Sequence, residues 1–112
     1  MKRLLFAVVM LLGCATARPA PLSYERPQAT LREAEALGAA EVPTARAHLK
    51  SAAEALEAAR KLENSGDRNA ALKLERASAD ADLALALAKE AMVRRQTLRT
   101  ASEVSSLKGE QP

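Results

Sequence analysis

The chain of 112 residues is poor in aromatic side chains: it has no tryptophan, one phenylalanine and one tyrosine. Aromatic rings form the stacking surfaces of single-stranded nucleic-acid sites and line many small-molecule pockets. We therefore expect neither kind of site here. The net charge of +3 is also too small to indicate a nucleic-acid partner.

Cysteine and histidine occur once each, at Cys14 and His48. A single cysteine excludes an internal disulfide, which is a common staple of small exported proteins. The residues one helical turn from His48 are Thr44 and Ala52, neither of which is a metal ligand. There is no glycine-rich phosphate loop either. We expect no metal and no cofactor, and we place His48 on a helix surface or at the edge of a helix contact.

A long apolar run is missing as well. The apolar stretch from Leu4 to Leu12 has nine residues, whereas a membrane-spanning helix needs about 20. It follows Lys2 and Arg3, and this order of a basic start and a short apolar run is typical of a secretory signal peptide. A lone cysteine in an exported protein is unusual unless something uses it.

The residues after the apolar run, Leu11, Leu12, Gly13 and Cys14, resemble the lipobox of bacterial lipoproteins. The resemblance implies cleavage after Gly13, a diacylglyceryl group on the Cys14 sulfur and a third acyl chain on the new amino terminus. Two acyl chains already suffice for stable membrane anchoring. The alternative is an ordinary signal peptide with an incidental cysteine.

Residues 1–13 are thus predicted to be the signal peptide, and residues 14–27 a lipidated, proline-punctuated tether with Pro19, Pro21 and Pro27. Such segments extend by about 3.1 Å per residue. Ala15 follows the cysteine. By resemblance to the enteric sorting rule, in which aspartate there retains a lipoprotein at the inner membrane, alanine predicts the inner leaflet of the outer membrane, facing the periplasm. Without the leader, the net charge falls to about +1.

Residues 28–108 show only helical patterns, without the alternation that strands need. We predict helices over residues 28–40, 44–63 and 68–107. Pro43 suits the first position of the second helix, and Gly66 and Asp67 suit the turn before the third, as left-handed C′ residue and N-cap. The predicted fold is all-α: an alanine-rich, coiled-coil-like antiparallel hairpin with a short N-terminal helix.

Both long helices carry small and apolar residues at alternating spacings of four and three, the period of a coiled-coil seam. Alanine at such positions lets two helix backbones approach closely. We predict that one set of residues forms the seam between the helices: Leu49, Ala52, Leu56, Leu74, Ala77, Ala81 and Ala84.

The third predicted helix is about twice as long as the second, so half of it needs another partner. Either the first helix continues the line of the second past a kink at Pro43, or it folds back to form a compact bundle. The kinked hairpin is our hypothesis, and it would bring Arg95 close to Glu33 and Glu35. In the compact bundle, Leu31 would pack near the turn between the long helices and Arg95 would face solvent.

Other polar groupings have simpler explanations. Asp80 and Asp82 point to different sides of a helix, so we expect a solvated face. Ser105 and Lys108 match an S-x-x-K motif by chance, because its partner motifs are absent. Four cations make the third helix basic beyond its middle, which predicts a solvated face or contact with an acidic partner or anionic wall polymer: Lys89, Arg94, Arg95 and Arg99.

The chain resembles an alanine-rich family of small bacterial envelope lipoproteins that has no assigned function and some of whose members continue into an OmpA-type domain. The resemblance covers most of residues 28–98. It rests on Gly38 and Ala39 with Pro43 shortly after, the Ala-x3-Leu-x2-Ala stripe, Gly66 with Asp67, and residues 77–88. It implies an all-α envelope protein, and no activity carries over because the family has none assigned.

These observations predict a lipid-anchored envelope protein with a structural or adaptor role and without catalytic residues. Its expected partners are membrane lipid, through Cys14, and an envelope protein or a second copy of itself, with peptidoglycan as a further possibility. An accessory or pilotin-like assembly factor for an outer-membrane machine is the alternative. An enzyme is not expected, because catalysis needs a concave site with convergent titratable groups.

Overall fold

A computed structural model describes residues 21–110. They form three α-helices, α1 (Glu25–Ala36), α2 (Pro43–Asn64) and α3 (Ala70–Gly109), with a short 3-10 helix at Ala39–Glu41. No strand occurs among these residues. α2 and α3 lie antiparallel and α1 packs against them, mainly against α3. The all-α prediction and the helical hairpin are confirmed.

The turn between α2 and α3 is closed by its own backbone. Gly66 has the left-handed φ of 73° predicted for it. Its N–H donates to the carbonyl of Glu63 at 2.9 Å, and the N–H of Asp67 donates to the carbonyl of Leu62 at 2.8 Å. This is a Schellman motif, which satisfies the last carbonyls of α2. The N-cap prediction for Asp67 is wrong by two residues, because α3 begins after Asn69 and the Asp67 carboxylate accepts from the Asn69 N–H instead.

α1 folds back along the hairpin, so the kinked arrangement is wrong. The Tyr24 hydroxyl, just before α1, donates to Glu63 at the end of α2 at 2.6 Å. Glu33, near the end of α1, pairs with Lys89 in α3 at 3.5 Å. α1 is therefore antiparallel to α2 and parallel to α3. The reversal occurs at Gly38, whose φ of 86° is accessible to glycine at little cost.

Folding back brings α1 into contact with both long helices. Leu31 in α1 packs against both apolar clusters of the bundle. One cluster lies toward the α1–α2 connection and contains Ala34 and Ala39, and the other lies toward the α2–α3 turn. A helix collinear with α2 would contact α3 alone. Each Å² of apolar surface buried in these contacts contributes about 25 cal/mol, which stabilises the compact bundle.

The core consists almost entirely of alanine, with three leucines. Among the described residues no large side chain is fully buried, so the backbones approach closely and leave little enclosed volume. All seven residues of the predicted seam are buried in the structure: Leu49, Ala52, Leu56, Leu74, Ala77, Ala81 and Ala84.

The predicted tether is wrong in its second half. α1 begins at Glu25, three residues earlier than expected, and Pro27 is buried in its first turn. Leu22 and Tyr24 are half-buried against the cluster near the α2–α3 turn. The packed body therefore begins near Leu22. The first part of the tether, up to residue 20, lies outside the described residues, as does the whole signal segment.

α3 has two halves with different surroundings. The covered half, residues 70–91, packs against α1 and α2, whereas every residue of the projecting half, residues 92–109, is exposed. At about 1.5 Å per residue the projecting half is some 27 Å long, and beyond its first turn, where Arg95 lies near Gly38, it extends past the bundle. Arg95 and Leu98 continue the spacing of the buried stripe, yet Leu98 is 65% exposed. Within residues 21–110, no helix has the length and apolarity needed to cross a membrane.

Candidate functional site

A polar cluster joins the two long helices at mid-length. Asp80 of α3 accepts a hydrogen bond from the Ser51 hydroxyl at 2.7 Å, and its other oxygen lies 3.1 Å from His48 Nδ1. Ser51 and His48 belong to α2, and each of the three residues stands one position before a residue of the apolar seam. They therefore flank the seam on one side and are all half-buried.

The surroundings of Asp80 favour its charged form. Partial burial acts to raise its pKa, but the hydrogen bonds from Ser51 and His48 oppose this, together with the charges of His48 and Arg76. Their combined effect holds the pKa of Asp80 below its ordinary value. Hydrogen bonds to a charged group are stronger than those between neutral groups. The cluster thus ties α2 to α3 through a carboxylate.

The order of the three side chains differs from that of a nucleophilic triad. In a Ser-His-Asp triad the histidine lies between the other two residues and accepts the hydroxyl proton. Here Asp80 is central, and Ser51 donates to the carboxylate rather than to His48. This arrangement orients the helices and does not activate the hydroxyl. His48 and Asp80 supply two metal-ligand types, but no group of three or more such residues occurs within residues 21–110.

Sequence reasoning placed His48 at a seam edge or on the surface and missed its partner. Asp80 was expected on a solvated face, which is wrong because its side chain is only 18% exposed. A signal was present, since His48, Ser51 and Asp80 occupy equivalent positions beside the seam on two antiparallel helices. Asp82 is exposed as expected.

A second polar cluster fixes the start of the described chain to the α2–α3 turn. Besides the hydrogen bond from Tyr24 to Glu63, the guanidinium carbon of Arg60 lies 5.1 Å from the Tyr24 ring centroid. Partial burial raises the pKa of Tyr24, and the hydrogen bond and charge of Glu63 act in the same direction, against Arg60. Tyr24, the only aromatic residue of the described chain, thus holds the segment before α1 against the end of α2.

A groove of about 620 Å³ lies between the start of α1 and the covered half of α3. Leu22, Pro27 and Leu74 contribute its apolar wall, and Arg26 and Asp82 are among its polar residues. The groove follows from the packing of the leading segment against α3.

The basic residues of α3 are divided between paired and unpaired cations. Lys89 pairs with Glu33, and Arg94 pairs with Glu90 one turn earlier. The proposed contact of Arg95 with Glu33 and Glu35 is wrong, because Arg95 lies near Gly38 and donates to the backbone of its own helix. Neither Arg95 nor Arg99 has a carboxylate within 4 Å in the part of the chain that the structure describes.

The projecting half of α3 is the largest uncovered element of the described chain. Its apolar side chains lie in solvent, with Leu98 and Leu107 each 65% exposed and Val104 45% exposed. Ser105 and Lys108 also lie here, exposed and without a cleft that converges on them. A surface of this kind is suited to contact another macromolecule.

The predicted lipidation site lies outside the described residues. This applies to Cys14 and to the cleavage motif of Leu11, Leu12 and Gly13. No family model, no curated protein and no solved structure matches the chain.

Proposed function

We propose that the protein is a lipid-anchored lipoprotein of the bacterial envelope with a structural or adaptor role, presenting a helical surface to a periplasmic or outer-membrane partner. The observation that carries this proposal is the order of Lys2 and Arg3, a nine-residue apolar run, and Leu-Leu-Gly before Cys14. Ala15 favours the outer membrane, and lipid attached to Cys14 would hold the chain at its periplasmic face.

The geometry of the bundle supports an adaptor. The described chain begins at the α2–α3 turn, where Pro21 lies close to Gly66 and Ala70. The projecting half of α3 leaves the bundle at the opposite end. α3 has 40 residues, so its far end lies about 60 Å from the turn at 1.5 Å per residue. An anchor at Cys14 would thus direct the projecting half away from the membrane.

The interior of the bundle also favours a binding or structural role over catalysis. Its core positions are filled by alanine and leucine, and the half-buried titratable cluster at Asp80 is occupied by hydrogen bonds between α2 and α3. The uncovered surface of α3 is what the molecule can offer to a partner.

Metabolic labelling with a palmitate analogue tests the anchor. The wild-type chain should incorporate the label and sediment with the outer membrane, whereas Cys14→Ser should lose the label and accumulate as an uncut precursor. Ala15→Asp, which leaves the cysteine intact, should keep the label and shift toward the inner membrane. Normal processing of Cys14→Ser without any label would show that the signal is an ordinary one.

Site-specific photo-crosslinking in intact cells tests the adaptor role. A photoreactive residue at Arg99, in the projecting half, should form discrete adducts. The matched control is the same residue at Lys50, which is exposed on α2 and should form few or none. Equal adduct patterns at both positions would contradict the assignment of the partner surface to α3.

A further inference from the structure

The exposed apolar residues of α3 are arranged in a regular pattern. Seven large apolar side chains are exposed among the described residues, and all belong to α3. Five of them fall on a single stripe of alternating four- and three-residue spacing, the outer stripe: Leu72, Leu83, Val93, Val104 and Leu107. In the projecting half, where no neighbour restricts exposure, three of the five exposed large apolar side chains lie on this stripe, whereas a stripe of two positions in seven would hold about one or two.

The outer stripe is separate from the buried seam. Each of its positions lies two residues after a position of the buried stripe, as Leu72 does after Ala70 and Leu83 after Ala81. On a helix this offset is about 200°, so the two stripes face opposite directions. Neither α1 nor α2 covers it, since Leu72 is 64% and Val93 56% exposed. α3 therefore presents a second coiled-coil seam to the outside.

The projecting half has few internal reasons to be helical. Valine, threonine and serine are frequent in it, and these residues are weaker helix formers than alanine or leucine. Its one described side-chain ion pair is Arg94 with Glu90. Most helical stability in proteins comes from packing of an apolar face. A helix of this composition that extends for 18 residues is best stabilised by a partner along the outer stripe.

We propose that this partner is a second copy of the chain, and that two copies pair in parallel through the outer stripes of their projecting halves. Val93, Thr97, Thr100, Val104 and Leu107 would form successive layers of a two-stranded coiled coil. Arg76 and Glu90 also lie on stripe positions, and both precede the projecting half. Like charges would meet there, so the contact begins at Val93.

Charges beside the stripe select the parallel orientation. One flank carries Glu103 and Glu110, and the other carries Arg94 and Lys108. In a parallel pair each flank faces the opposite flank of the second copy five residues further on, which places Glu103 against Lys108 of that copy. An antiparallel pair would bring like flanks together. Two heptads earlier the same flank positions hold Lys89 and Arg94, which carry like charge, but each already has its own carboxylate.

The orientation also agrees with the proposed anchor, and this one step of the argument rests on the proposed function. Two copies held at Cys14 in one membrane surface would point their projecting halves in the same direction. Sharing a surface raises the effective concentration of the second copy, so a contact of about two heptads can suffice.

Sedimentation of residues 14–112 carrying Cys14→Ser, which include all three helices and both apolar clusters, tests the pairing. We expect a reversible dimer. Val104→Glu and Leu107→Glu should each raise its dissociation constant about tenfold or more, equivalent to 1.4 kcal/mol. The matched controls are off the stripe: Met92→Glu, at 42% exposure against 45% for Val104, and Leu98→Glu, at the same 65% as Leu107. They should change it less than about threefold.

Because all four side chains are exposed, circular dichroism should show an intact bundle in every variant. A wild-type chain that stays monomeric up to millimolar concentration would overturn the proposal. So would equal weakening by Leu98→Glu and Leu107→Glu. The soluble protein needs no lipid, so failure of lipidation at Cys14 would leave these results unchanged.

Orientation is tested by disulfide formation and by charge exchange in the same Cys14→Ser background. Val104→Cys should form a disulfide between two copies under mild oxidation, whereas Met92→Cys should not. Glu103→Lys should weaken the dimer severalfold, and Glu103→Lys combined with Lys108→Glu should restore it. A dimer without the Val104→Cys crosslink, or one that Glu103→Lys strengthens, would overturn the parallel arrangement.

Discussion

The two halves of α3 share one helix and one sequence period but differ in what surrounds them. In the covered half the residues at four- and three-residue spacing are buried, and Ala77, Ala81 and Ala84 are fully inaccessible to solvent. In the projecting half the same stripe continues through Arg95 and Leu98, which lie in solvent. Periodicity therefore establishes a helix and its candidate faces. Whether a face is buried depends on the length and direction of the neighbouring helices.

The direction of α1 decides how far the cover extends. Had α1 continued the line of α2, it would have lain along the projecting half. Instead it lies between the α2–α3 turn and the α1–α2 connection and packs on the covered half of α3 beside α2. The bundle thereby becomes a three-helix body of alanine-lined contacts, and the rest of α3 is left uncovered. The same choice places the start of the described chain and the projecting half at opposite ends.

Enlarging a buried alanine should cause the largest loss of stability, compared with the same change at an exposed alanine. Ala81→Leu adds three carbons where α2 approaches closely, and such overpacking typically costs about 1–3 kcal/mol. Ala86→Leu changes the same residue type at an exposed position of the same helix and should cost less than about 0.5 kcal/mol. Thermal melts of both variants measure the difference. Equal losses would show that Ala81 does not lie at a close contact.

Removing the polar cluster should have the next largest effect. Asp80→Ala leaves Ser51 and His48 without their shared acceptor, and a hydrogen bond to a charged group contributes about 1.5–3 kcal/mol at most. We expect a loss of about 1–2 kcal/mol in urea unfolding at pH 7. Asp82→Ala, at an exposed position two residues away, is the control. A loss for Asp82→Ala as large as that for Asp80→Ala would contradict the cluster.

The same cluster predicts a dependence of stability on pH. The pKa of Asp80 is depressed in the folded protein, whereas an unfolded aspartate titrates near 3.9. A depressed pKa stabilises the fold fully above the unfolded pKa, and the stabilisation disappears as pH falls through the folded pKa. The stability difference between wild type and Asp80→Asn should therefore shrink below about pH 4. Persistence of the full difference at pH 2 would mean that the carboxylate charge is not its source.

Much of this architecture could be predicted from the sequence, and the failures have particular causes. The long helices and their seam followed from spacing, and the C′ role of Gly66 followed from turn chemistry. The direction of α1 did not, because Gly38 permits a left-handed reversal without requiring it and Pro43 is compatible with either path. The contact of Asp80 with His48 and Ser51 could be predicted only from the register of α2 against α3, which helical spacing alone does not give. The packing of Leu22 against the bundle was not predicted either, because a segment with several prolines is typical of an extended tether.

Amide hydrogen exchange should distinguish the two halves of α3, although the free-energy differences involved are the smallest of those predicted here. Amide hydrogen exchange is slow where helix opening must disrupt buried contacts, and it approaches the unprotected rate where a helix frays in solvent. Residues 92–109 should therefore exchange much faster than residues 74–88 in a monomeric variant such as Leu107→Glu. Truncation after Ala91 should change the free energy of unfolding of the bundle by less than about 0.5 kcal/mol, since no buried residue is lost.

In the wild type at high concentration, pairing along the outer stripe should slow amide exchange between Val93 and Leu107. If residues 92–109 of monomeric Leu107→Glu were as well protected as residues 74–88, the projecting half would be held by its own chain, and the distinction between the halves would fail.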